Sequence, residues 1–135
     1  MSASNTTEND ILKLICQGTD PAWRASATGY WALFTADPGE TGSLAAECTY
    51  TGYARVAQTK ATAWTDGGST FSNAALVQWP QCTAATPNAA THFAWVSSAS
   101  GATAYMQSGA LSSTLNIDNG IQPQAAIGQL QLTAD

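Results

Sequence analysis

Charge is what this sequence has least of. Lys13, Arg24, Arg55 and Lys60 are its four cations, nine residues are acidic, and the net charge is −5 over 135 residues. Charged residues make up 10% of the chain, against about 25% in an ordinary globular protein. Sequence-independent nucleic-acid binding needs clustered Lys and Arg to neutralise phosphates, and four dispersed cations do not supply them. The same shortage argues against an anionic membrane surface as partner. Histidine occurs once, at His92, and cysteine three times, at Cys16, Cys48 and Cys82, with no C-x-x-C. That is neither a disulfide framework nor a zinc-ligand set. The thiols read as small buried side chains in a chain made in a reducing cytosol. No stretch approaches the ~20 apolar residues of a membrane span. Residues 1–8 lack the basic and apolar regions of a signal peptide. No repeat of fixed period appears, which excludes a solenoid or a repetitive shaft.

What is present is apolar and hydroxyl-rich. The apolar fraction is 44%, and Thr, Ser, Gln and Asn supply the polar surface. Such a surface suits contact with other protein, where desolvating charges is costly. The length fits one domain with a substantial core.

The central stretch is Gly29-Tyr30-Trp31-Ala32-Leu33-Phe34, closed by Asp37-Pro38-Gly39. Its large side chains alternate poorly, so both faces are expected to meet protein. Pro then removes a ladder donor and Gly permits the reversal. Upstream, residues 5–18 read as a helix, capped by Thr7 with Asp10 in the first turn and Gly18 as the stop. Its apolar residues Ile11, Leu12, Leu14, Ile15 and Cys16 form a wide face. So short a helix is marginal alone and must dock on its own sheet or on a neighbour. Residues 18–28 are a connector that Trp23 tethers.

Downstream, strands are expected at 52–58, 60–65, 70–73, 75–79, 91–97, 104–109, 111–117 and through 123–133, with loops at 37–51 and 80–90. Turn signals recur every ~8–12 residues and no crossover helices intervene, so the expected fold is all-β. It is an antiparallel β-sandwich, immunoglobulin-like or jelly-roll-like, with one short N-terminal α-helix. The expected organisation is a docking arm over 1–28 and a sandwich domain over 29–135.

Reactive chemistry is sparse. His92 sits on an alternating strand opposite in face to Phe93 and Trp95 and reads as structural. Asp37, Asp66 and Asp118 lie at turns, where Asp bonds its own backbone. No catalytic residue, metal ligand or cofactor is assigned. Of the five tryptophans, Trp64 beside the Asp66-Gly67-Gly68 turn is the one expected at the surface, as a platform for a glycan.

Several motifs together resemble a family. Residues 31–40, ending Ala36-Asp37-Pro38-Gly39-Glu40, precede Tyr50-Thr51-Gly52-Tyr53-Ala54-Arg55-Val56 and then Thr91-His92-Phe93. Ser108-Gly109-Ala110-Leu111 and Gly120-Ile121-Gln122-Pro123 follow. Order and spacing over about residues 8–133 resemble small tailed-phage virion proteins, often labelled phage tail fibre protein or virion structural protein. Residues 60–66 and 81–90 depart from the pattern. The resemblance implies a non-enzymatic β-sandwich on a phage particle.

A compact, repeat-free domain with a docking helix leads to a capsid decoration, or cement, protein as first expectation. It would bind the major capsid protein on the outside of the shell, as a homotrimer, with no direct nucleic acid and no membrane. The alternatives are a tail fibre or adsorption component touching host glycans, and a small cell-wall binding module or cell-wall-active enzyme. The expected partner contacts are Ile11, Leu12 and Ile15 on the helix and Glu40, Leu44 and Tyr50 in the long loop, with Trp64 for a glycan.

Overall fold

A strand that is apolar at consecutive positions is stable only with both faces covered. The computed structural model describes residues 3–133, and in it Trp31, Ala32, Leu33 and Phe34 are all fully buried. In chain order the elements are α1 (Asn5–Gln17), a 3-10 turn (Ala22–Ala25), β1 (Thr28–Phe34), β2 (Val56–Thr59) and a helical turn α2 (Lys60–Ala63). Then come β3 (Trp64–Asp66), β4 (Thr70–Asn73), β5 (Val77–Gln78), β6 (Asn88–Val96), β7 (Met106–Ile117), β8 (Gln124–Ala125) and β9 (Gln131–Thr133). The main sheet runs β2-β1-β6-β7 and faces a smaller β3-β4-β9 sheet and a β5-β8 pair. Every pairing is antiparallel. This is the expected all-β sandwich with one main helix.

Side chains of β1 divide between two cores, as the period of two requires. Trp31 and Leu33 face the inter-sheet core with Phe93, Trp95, Trp79, Val77 and Leu130. Ala32 and Phe34 point the other way, to Ala94, Val96 and Met106, where Leu44 and Ala46 of the long loop cover them. A Cβ at Gly29 would overlap the Trp95 indole, so glycine there lets the ring lie flat on β1.

The helix is built into the main sheet at its first turn. Ser4, not Thr7, is the N-cap: its hydroxyl accepts from the Thr7 amide. Thr7 is buried and binds β7 instead. The Met106 amide donates to Thr7 Oγ1 at 2.9 Å, and the Ser4 amide donates to the Met106 carbonyl at 3.0 Å. Asp10 does not complete a capping box; it accepts from Trp23 Nε1 at 2.8 Å. The expected tether is thus a tryptophan bonded to the helix and set edge-on to Tyr105.

Other boundaries moved. The strand expected from residue 52 starts at Val56, because Gly52 has φ +98 and residues 51–55 curve to place Tyr53 and Arg55. Lys60–Ala63 is a helical turn rather than strand. Only Val77–Gln78 of the expected 75–79 strand pairs. The two strands expected over 104–117 are one, β7, with a bulge. Ala90 pairs with Leu115 and His92 with Ala110, so residue 91 faces residues 111–114.

The long loop supplies the missing neighbour of β1. Beyond Trp31, β2 no longer pairs with β1. The Cys48 amide donates to the Leu33 carbonyl at 2.9 Å, the Thr35 amide donates to Ala46, and the Leu33 amide donates to the Tyr53 hydroxyl at 3.1 Å. That hydroxyl donates on to Glu47 Oε1 at 2.9 Å. Arg55 holds Glu47 by two bonds of 2.7 and 2.8 Å and also donates to the carbonyls of Ser98 and Gly101. Burial pushes the Tyr53 hydroxyl well above the usual phenol range, while bonding to Glu47 raises Arg55.

Two predictions follow from this arrangement. Arg55→Ala leaves a largely buried carboxylate and two carbonyls without their donor, so it is expected to cost about 3–5 kcal/mol in urea unfolding. A loss below about 1 kcal/mol, the range of an exposed pair, would refute that role for the network. The cysteines give a second test. Cys48 and Cys82 are buried, and burial raises the Cys48 thiol to about 12, whereas Cys16 lies exposed on α1 against the expectation of three buried thiols. A thiol-specific chromogenic reagent should titrate Cys16 alone in the native protein and all three cysteines after denaturation.

Candidate functional site

Helix α1 uses one side for the fold and leaves the other bare. Ser4, Thr7, Asp10 and Leu14 face the body at three- and four-residue spacing, and the first three bond it directly. Ile11, Leu12 and Ile15 fall on the adjoining outer side, with exposures of 37%, 59% and 73%. The Gly18 amide donates to the Leu14 carbonyl, ending the helix in a left-handed cap. The three side chains expected to meet a partner therefore share one solvent-facing apolar stripe.

The other residues expected at a partner surface are placed differently. Tyr50 is buried, and its hydroxyl donates to the Pro80 carbonyl at 2.8 Å, so it offers no free surface. Its place in the loop suggested exposure, but both Tyr50 and the adjacent Cys48 belong to the core. Leu44 is half-buried over Phe34 and Met106. Glu40 has an exposed side chain, and its carbonyl accepts from the Asn5 amide at 2.8 Å. The loop thus covers the sheet and anchors the helix.

Trp64 lies on the opposite side of the main sheet, half-buried at the seam between the two layers. Its ring is 4.7 Å from Trp31 and 5.6 Å from Trp95, edge-on to the latter. Trp31 and Trp95 are 4.7 Å apart, so three indoles form one cluster. Trp64, Trp95, Phe71, Leu132, Gln107 and Thr133 line an open groove of about 240 Å³ beside it. Sequence reasoning named Trp64 but missed Phe71 and Gln107, which only the β3-β4-β9 pairing and the facing sheet bring to it.

His92 is half-buried, and its Nδ1 lies 2.9 Å from Thr91 Oγ1. The Thr91 hydroxyl spends its proton on the Thr35 carbonyl at 3.0 Å, so Nδ1–H is the donor to Thr91. This pins the bulge to β1 and is a structural arrangement. Asp37, Asp66 and Asp118 each accept from a backbone amide within their own turns. Among the described residues no group of three His, Cys, Asp or Glu lies close enough to hold a metal ion, and no helix is long and apolar enough to cross a membrane.

The motifs that carry the resemblance now have physical roles. Gly-Tyr-Ala-Arg contains both side chains that hold Glu47, and its glycine admits the Gln81 carbonyl where a Cβ would stand 2.7 Å away. Thr-His-Phe forms the bulge contact, and Ala-Asp-Pro-Gly starts the loop that covers β1.

No curated protein matches the chain. A family model described as "Podophage GP4 fiber I protein gp80" matches residues 2–133, nearly the whole length. The chain therefore belongs to this podophage fibre family and is a phage virion structural protein.

Proposed function

We propose that the chain is a non-enzymatic fibre subunit that attaches to a neighbouring virion protein through the outer face of α1. The observation behind this reading is the Ile11, Leu12 and Ile15 stripe. The same helix docks through Ser4, Thr7 and Asp10, and Leu12 and Ile15 keep more than half of their surface open to solvent. Three exposed aliphatic side chains at helical spacing fit a groove on another subunit, and the gain from covering them scales with the apolar area still open, largest at Ile15 and smallest at Ile11. The low charge of the chain reduces the desolvation cost of such a contact.

A second reading keeps the same surface and changes its partner. A single repeat-free sandwich suits a capsid decoration subunit, a homotrimer bound to the major capsid protein, as well as an element of a fibre. Gold-labelled antibody against this chain on intact virions separates the two. Label confined to the tail supports the fibre reading, and label over the head supports decoration.

The attachment surface has its own test. Ile15→Glu lies at an exposed position, so thermal stability should change by no more than about 0.5 kcal/mol. Phage carrying it should incorporate the subunit at least tenfold less. Normal incorporation of a double Leu12→Glu, Ile15→Glu variant would remove α1 as the attachment surface.

A further inference from the structure

We infer that the groove between the two sheets, beside Trp64, binds the ring of an uncharged saccharide. Its floor is aromatic. Trp64 and Trp95 meet edge-on with interplanar angle 84°, and Trp31 backs them both. Phe71 and Leu132, directly paired across β4 and β9, form a wall, and Phe71 is 40% exposed. A phenylalanine left open to water at this position costs free energy unless something covers it.

The rim is polar and neutral. Gln107 and Thr133 stand at the edge, and among the described residues no Lys, Arg, His, Asp or Glu lines the groove. Among the described residues the Gln107 carboxamide has no hydrogen-bond partner. Gln107 is held in place from both sides, by pairing with Trp95 on one strand and with Ala3 on the other. Its backbone is therefore fixed at the rim, and its carboxamide has two donors and an acceptor to spend.

Apolar floor and amide rim together select the ligand. A pyranose ring carries C–H groups on one face and hydroxyls around its perimeter. The C–H face meets the negative face of an aromatic ring, and adjacent hydroxyls pair with a carboxamide. An aliphatic side chain from a protein partner would cover the floor and leave the amide desolvated and unpaired, a cost of about 1–3 kcal/mol. An anionic sugar meets no cation among the described residues of the groove and loses hydration. The volume of about 240 Å³ falls below the ~300 Å³ lower end for drug-sized ligands, which suits one ring rather than an extended chain.

The test uses the full chain and neutral probes. N-acetylglucosamine, L-rhamnose and methyl α-D-mannoside are titrated to tens of millimolar while the five tryptophan indole N–H resonances are followed by NMR. N-acetylneuraminic acid is the charged control. At least one neutral probe is expected to shift Trp64 and Trp95 and leave Trp79 and Trp23 in place. Phe71→Ala and Gln107→Ala should each weaken that binding several-fold with the other indole resonances unchanged, which reports an intact fold. Silence of Trp64 and Trp95 with all three neutral probes would overturn the assignment. So would equal binding of the charged control, or binding that survives both substitutions.

Discussion

The second half of β1 depends on the buried Glu47–Arg55 pair. β1 is a central strand that β2 accompanies only as far as Trp31. Past that point its amides and carbonyls would open to water beside a fully apolar run. The loop after Pro38 closes that edge with Cys48 and Tyr53, and Glu47 is where its two ends are tied. Arg55 meets the carboxylate with two parallel bonds and spends its remaining donors on Ser98 and Gly101 in the turn after β6. One guanidinium thereby joins the edge of β1, the long loop and the β6–β7 turn. Fork-to-fork geometry and complete use of the donors are the conditions under which a buried ion pair holds a structure together.

With that edge closed, the molecule divides its labour by face. The outer face of the main sheet is sealed by the loop and by the first turn of α1, which holds Met106. The inner face builds a tryptophan cluster against the second sheet. Besides the exposed Leu76, Ile121 and Ile127, this arrangement leaves apolar surface at the stripe on α1 and at the aromatic groove. They differ in chemistry. The stripe is aliphatic and convex, suited to a protein groove, whereas the groove is aromatic, concave and rimmed by an amide. On the readings proposed above, the first attaches the subunit to the particle and the second takes a saccharide ring.

Much of the fold was legible because it rests on local rules. The turns at Asp37, Asp66 and Asp118 follow from side chain-to-backbone bonding, and the antiparallel sandwich follows from short strands without crossover helices. The helix was legible from its periodicity, but its cap was not. Ser4 and Thr7 both satisfy the capping rule, and only the position of Met106 selects between them. The exposed stripe of the candidate attachment site was readable for the same periodic reason. Tyr50 was misplaced because a long loop was taken as surface, while here the loop's backbone replaces a strand, Tyr50 enters one core and Leu44 half-covers the other.

The sequence by itself determined the class of the molecule. Its sparse charge offers no cluster of cations, no repeat of fixed period appears in it, and its run of consecutive apolar residues requires a two-sided strand. These are properties of composition and short-range pattern, and they need no partner to be read. Tertiary structure alone decided which residues meet. The Glu47–Arg55–Tyr53 tie was hidden because no local rule pairs a loop carboxylate with a guanidinium eight positions on. The groove was hidden because Trp64, Phe71, Gln107 and Leu132 come from four different strands. Burial is set by the packing of whole sheets, so the consecutive apolar run of β1 foretold that both its faces would be covered, and only the folded chain showed by what.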